Sequence, residues 1–102
     1  MTPEGKVKAM VNKAVAEHPG VYKFMPVPGG FGPSSLDYIL CASGYFCAVE
    51  TKKPGGKPTP RQDFIITTIR AAGGAVFVID GVNGQLEHFK EWLQHVAPKV
   101  TK

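Results

Sequence analysis

Apolar residues recur along this chain with two different periods, and the switches between those periods mark out seven elements. Val7, Met10, Val11, Ala14 and Val15 fall at the alternating 3-and-4 spacing of one helix face. Ahead of them, Thr2-Pro3-Glu4 supplies an N-cap, a proline at the first helical position and an acid in the first turn. The spacing predicts a helix over residues 3–17, stopped by His18-Pro19-Gly20. Residues 21–27 are β-branched and aromatic, as a strand requires. Pro28-Gly29-Gly30-Phe31-Gly32-Pro33-Ser34-Ser35 cannot sustain a ladder and predicts a loop open enough for backbone to approach a ligand. Two more strands follow over 36–42 and 45–52, joined by Ser43-Gly44, a dipeptide suited to a tight hairpin turn. Lys53-Pro54-Gly55-Gly56-Lys57-Pro58 reads as a flexible basic loop, and Thr59-Pro60-Arg61-Gln62 opens a second helix as a capping box. Ile65, Ile66, Ile69 and Ala72 form its apolar face until Gly73-Gly74 ends it. Residues 75–80 make a short apolar strand of the buried kind, and Leu86, Phe89, Leu93 and Val96 set a third helix over 83–96. The order αβββαβα predicts one mixed α/β domain over residues 1–102, a central mixed sheet with helices on both faces.

The hairpin turn fixes which side chains meet. Counting outward from an Ala42–Tyr45 pair sets Asp37 opposite Glu50, and period-2 alternation puts Lys52 on the same face. Opposed positions hold their Cβ atoms about 4.5–5.5 Å apart, where two carboxylates repel unless a cation lies between them. A divalent metal is the usual remedy. The same parity puts Ile39, Cys41, Phe46 and Ala48 on that face and Tyr38, Leu40, Cys47 and Val49 on the other, so the sheet reads as covered on both sides. Charges at strand ends are often merely solvated, but these three stand in an otherwise apolar strand pair, which favours a site. Cys41 and Cys47 fall on opposite faces, which argues against a disulfide between them, and they read as reduced and buried.

Composition adds little beyond this. With 43% hydrophobic and 20% charged residues among 102, the chain belongs with ordinary globular domains. Its net charge of +4 is a mild bias toward a polyanionic partner. No stretch approaches the roughly 20 apolar residues of a bilayer span, and MTPEGKVK lacks the apolar core of a secretory signal. The expectation is a soluble, cytoplasmic, nucleoid-associated protein without a membrane partner.

GPSSLD, a hairpin, VETKK, a helix opened by TPRQ and then AGGAVFVID together resemble the PD-(D/E)XK nuclease superfamily, and more narrowly its VRR-NUC branch, over residues 3–80. The Glu-x-Lys triplet alone is common, and it is the order and spacing of all the pieces that carry the resemblance. It implies a restriction-endonuclease-like αβββαβ core and a Mg²⁺- or Mn²⁺-dependent DNA endonuclease. Asp37 and Glu50 would ligate the metal, with the backbone carbonyl of Thr51 completing the shell. Lys52 would orient or help deprotonate the attacking water and steady charge on the phosphate. Phosphodiester hydrolysis needs these parts: hard oxygen ligands, a nucleophile of lowered pKa and a cation at the developing charge. The proline that precedes the family's aspartate is Leu36 here. Glu4 matches an acid that many members place on the first helix beside the metal, and it equally complements the helix dipole. Gln62 matches the glutamine that VRR-NUC members place on the helix after Glu-x-Lys, and it is equally the far end of the capping box with Thr59.

Lys53, Lys57 and Arg61 flank this centre and read either as phosphate contacts or as an ordinary solvated loop. Tyr22, Phe24, Tyr38 and Tyr45 read as core rather than as base-stacking platforms. His18, His88 and His95 have no metal spacing and read as surface residues. Small stand-alone relatives in the resembled family include dimeric junction resolvases, so a homodimer acting on branched or four-way DNA is expected. Its contact surface would be the first helix's stripe through Val7, Met10 and Val11, or the region of Trp92, which otherwise reads as core margin. Two other readings stand beside this one: a catalytically inactive DNA-binding or assembly module on the same fold, and a metal-dependent hydrolase of another substrate.

Overall fold

Two consecutive residues with positive φ organise the sheet. Ser43 (φ 52°) and Gly44 (φ 84°) make a two-residue hairpin turn of the type whose twist matches that of the strands it joins. In the computed structural model, the structure describes residues 1–27 and 35–99. The elements are α1 (Pro3–Ala16), β1 (Tyr22–Phe24), β2 (Tyr38–Ala42), β3 (Tyr45–Thr51), α2 (Pro60–Ala71), β4 (Ala75–Ile79) and α3 (Gln85–Val96). Their order is the predicted αβββαβα. The sheet runs β1-β2-β3-β4, with β1/β2 and β2/β3 antiparallel and β3/β4 parallel. The parallel pair needs a crossover, which α2 supplies.

The fold is mixed α/β with helices on both faces of the sheet. On one face, Val7, Val11, Ala14 and Val15 of α1 and Phe89 and Leu93 of α3 close over Tyr38, Leu40, Cys47, Val49 and Ile79. Phe77 meets Phe89 edge-on, with ring centroids 5.4 Å apart, and Trp92 lies 6.1 Å from Phe77. On the other face, Ile66 of α2 covers Leu36, Ala48 and Val76, with Ile65, Ile69 and Val78 at the margin.

Helix ends follow the chemistry of their caps. Thr2 caps α1 by accepting from Gly5 N–H, and Thr59 caps α2 in a complete capping box with Gln62. At the far end of α2, Gly73 N–H reaches Arg70 O (3.0 Å) and Gly74 N–H reaches Ile69 O (2.9 Å), the two bonds of a Schellman motif. Gly74 must be glycine for a further reason, because a Cβ there would stand 2.6 Å from Ile69 Cγ2 and 3.0 Å from Phe46 Cδ1.

Several expectations are corrected by the structure. The second sheet face is only half covered: Tyr22, Phe24, Cys41 and Phe46 are exposed, and Tyr45 at the hairpin tip is exposed as well. A helix about 10 Å across spans roughly two strands spaced 4.7–4.9 Å apart, so α2 covers β3 and β4 and leaves β1 and the hairpin tip open. Of the aromatic residues assigned to the core, only Tyr38 is buried, and of the two cysteines only Cys47. Met10 and Ala72 lie on exposed sides of their helices. Of the surfaces nominated for pairing two copies, Val7 and Val11 are buried within the chain's own core, Met10 is exposed, and Trp92 is half-buried against Phe77. His18 is buried, its Nδ1 2.6 Å from Ala97 O, which ties the ends of α1 and α3 together. The loop at 28–35 lies outside the described residues except for Ser35. The basic loop begins as an ordered type II turn, with Pro54 and Gly55 (φ 81°) at its centre and Gly56 N–H on Lys53 O at 2.8 Å.

The turn gives a first prediction. Ser43→Asn should stabilise the fold by about 0.5 kcal/mol, because asparagine tolerates positive φ better than serine does, and Gly44→Ala should destabilise it by about 1–2 kcal/mol. Urea denaturation of the two variants measures both. Equal stability of Gly44→Ala and wild type would mean that the turn does not hold the register.

Candidate active site

The β2–β3 ladder ends at the pair Tyr38–Val49, but β3 continues to Thr51 because β4 still holds it on the other side, through Glu50–Val78 and Thr51–Ile79. This leaves one edge of β3 without a neighbouring strand at Glu50 and Thr51. Asp37, a bend residue that has left the ladder, fills the gap. Its Oδ2 accepts from Thr51 N–H at 2.9 Å and from Thr51 Oγ1 at 2.6 Å, and its own N–H donates to Glu50 Oε1 at 3.2 Å. Asp37 and Glu50 are therefore brought together, though not as the ladder pair counted from the sequence. The Asp37 carboxylate turns toward Thr51 while its amide faces Glu50.

Both helical layers reach this corner. From the α2 side, Gln62 Nε2 donates to Glu50 Oε2 at 2.9 Å, and Lys52 Nζ lies 3.5 Å from the same oxygen. Gln62 Oε1 at the same time accepts from Thr59 N–H at 2.9 Å. The capping role of Gln62 is present, and it fixes the oxygen end of the amide and thereby aims the nitrogen end at Glu50. A glutamate here would cap the helix but could not donate to Glu50. From the α1 side, Lys8 Nζ donates to Thr51 Oγ1 at 2.8 Å, stands 3.1 Å from Asp37 Oδ2 and reaches Glu4 Oε2 at 3.5 Å. Glu4 is thus linked to the acid pair through Lys8. Among the described residues, no three His, Cys, Asp or Glu side chains converge as a metal-binding group.

The two carboxylates sit in opposite electrostatic states. Burial pushes Asp37 upward, but the Thr51 hydroxyl and amide and Lys8 outweigh it and hold the group below the usual carboxylate range. Glu50, with only 4% of its side chain exposed, is pushed above that range by burial and by the Asp37 charge, and Lys52 only partly offsets the shift. Burial and Asp37 also push the Tyr38 hydroxyl up to about 12. Tyr38 donates that hydroxyl to Lys8 O at 3.3 Å, which helps position α1.

The donor chemistry at this corner fits a hard divalent cation. Two neighbouring carboxylates are present, one of them nearly buried and short of positive charge. Thr51 adds a third oxygen, because a strand residue's C=O points to the same edge as its N–H, which here points to Asp37. Lys53, Lys57 and Arg61 are exposed and make no ion pair among the described residues.

Three participants escaped the sequence reading. Lys8 could have been found from its helical position, four residues after Glu4 and three before the buried Val11. The Thr51 hydroxyl gave no signal of its own. Asp80 accepts from Gly55, Val82 and Asn83 N–H groups at 2.7–3.0 Å, and those bonds hold it below the usual carboxylate range despite burial. It ties the type II turn after Lys52 to the end of β4. No family model matches the chain, and no curated protein and no solved structure matches it either.

The opposed shifts make a prediction for metal-free protein in chelator. A raised folded-state pKa means that ionising Glu50 opposes folding, so the stability of Glu50→Gln relative to wild type should increase as pH rises above about 4.3. Asp37 is lowered, so its charge stabilises the fold above about 3.9, and this is lost as pH falls through its folded value. Asp37→Asn should therefore lose stability relative to wild type as pH rises through the same region. Denaturant midpoints between pH 3 and 8 report both trends, and parallel curves for the three proteins would contradict the assignment.

Proposed function

We propose that the chain is a metal-dependent nuclease with a restriction-endonuclease-like core, hydrolysing DNA phosphodiester bonds at the corner formed by Asp37, Glu50 and Lys52. The observation that carries this reading is the pairing, at one strand end, of two adjacent carboxylates with a lysine two residues beyond the second. Asp37 and Glu50, with the Thr51 carbonyl, would hold Mg²⁺ or Mn²⁺. A bound divalent cation supplies positive charge at the scissile phosphate and lowers the pKa of the attacking water.

The chain's own groups do the rest. Glu50 is held on three sides, by the Asp37 amide, Gln62 and Lys52, so its oxygens are fixed before any substrate arrives. Lys52, only 16% exposed, keeps its ammonium against Glu50, where it orients the water and meets charge developing on the phosphate. Asp80 fixes the turn that follows Lys52, and the first turn of α2 brings the Gln62 side chain to Glu50. Lys53, Lys57 and Arg61 are free to contact the phosphate backbone along the substrate.

Divalent-cation-dependent cleavage of plasmid and linear DNA tests the reading. Glu50→Ala should lose cleavage at saturating Mg²⁺ or Mn²⁺, whereas Lys52→Ala should retain metal binding and lose about 10²–10³ in turnover. Wild-type cleavage by Glu50→Ala would refute the site. In the Lys53, Lys57 and Arg61 triple alanine variant, the slope of log affinity against log salt should flatten by up to about 3 units, with no change in base preference. An unchanged slope would remove these residues from the interface.

A further inference from the structure

We propose that Lys8 is a built-in competitor for the divalent cation at the acid pair, and that Glu4 is the seat to which its ammonium withdraws. The inference rests on the reading of Asp37 and Glu50 as metal ligands and on no part of the nuclease chemistry. The Lys8 ammonium touches three oxygens: Thr51 Oγ1 at 2.8 Å, Asp37 Oδ2 at 3.1 Å and Glu4 Oε2 at 3.5 Å. These match its three donors in number. Asp37 Oδ2 also accepts from the Thr51 amide and hydroxyl, so it already has three donors around it. The Thr51 amide is fixed in β3, and its hydroxyl is fixed by the same residue. Lys8, on a flexible stem and with a third of its side chain exposed, is the donor that can leave.

The acid pair therefore has one lysine on each face of the sheet. Lys52 sits beside Glu50 on the α2 side, and Lys8 sits beside Asp37 on the α1 side. A divalent cation at the pair is repelled by Lys8 for as long as the ammonium remains on Asp37. Glu4 lies one helical turn before Lys8, already within 3.5 Å and on the more exposed side. Withdrawal to Glu4 costs little rearrangement, because both residues belong to α1. Glu4 thus acts on the metal through Lys8 and not as a ligand.

Titration calorimetry with Mn²⁺ alone, without DNA, tests this. Lys8→Gln, which keeps a donor for Thr51 but no charge, should bind Mn²⁺ about tenfold more tightly than wild type. Lys8→Arg, which keeps the charge, should bind as wild type does, and it guards against a folding defect being read as a charge effect. Glu4→Gln should weaken binding in the wild-type background and have no effect in the Lys8→Gln background, as a double-mutant cycle requires of a residue that acts through another. Binding by Lys8→Gln no tighter than wild type would overturn the proposal while leaving the metal site standing. Weakening by Glu4→Gln that persists without Lys8 would overturn the role given to Glu4. No Mn²⁺ binding by wild type or by Lys8→Gln would remove the metal-site reading and this inference with it.

Discussion

A β-strand that outruns its neighbour exposes backbone groups that must find partners, and at the end of β3 that partner is a side chain. The Asp37 carboxylate takes the Thr51 amide that a longer β2 would otherwise have met, and adds the Thr51 hydroxyl. Because Asp37 is held there, its own amide is left facing Glu50 and fixes one oxygen of that carboxylate. The other oxygen is taken by Gln62, whose position comes from the capping box that starts α2. A single unpaired strand edge thus brings together β2, β3 and both helical layers, and the candidate site is the place where they meet.

The arrangement separates two acids that sequence alone makes equivalent. Asp37 receives the hydroxyl, the amide and Lys8, and its charge is well supported. Glu50 is the more deeply buried side chain, and its nearest cation is Lys52 at 3.5 Å. It also bears the repulsion of Asp37. Under the proposed function, a cation bound at the pair would relieve Glu50 most, with Asp37 as the anchor already supported by its own donors. Burial on the other face of β3 pushes the Cys47 thiol up to about 12.

Much of the fold was legible because local signals agreed with tertiary needs. Ser43-Gly44 set the hairpin register through Tyr38–Val49, Thr59 to Gln62 set the start of α2, and Gly73-Gly74 set its end. Asp37, Glu50 and Lys52 were legible as a group because the register extends toward them. The register could not show that β2 stops one residue early, so the carboxylate's turn toward Thr51 was hidden. Helical spacing shows the pairing of Lys8 with Glu4, but its contacts with Asp37 and Thr51 were hidden, because those partners lie 29 and 43 residues away and no periodicity records a contact of that kind. The open half of the sheet was missed for a different reason. Alternating apolar residues report a strand's two faces, but whether a helix lies over each face depends on how wide the sheet is and how few helices there are to cover it.

Under the proposed function, the acid pair at the end of β3 binds a divalent cation. Its most direct measurement is an anomalous difference map from crystals of the wild-type protein soaked in Mn²⁺. One peak is expected beside Asp37 and Glu50, with Gln62 still on Glu50 and the Lys8 ammonium withdrawn from Asp37 toward Glu4. A map with no peak at this corner, and Lys8 still bound to Asp37 at saturating Mn²⁺, would contradict it.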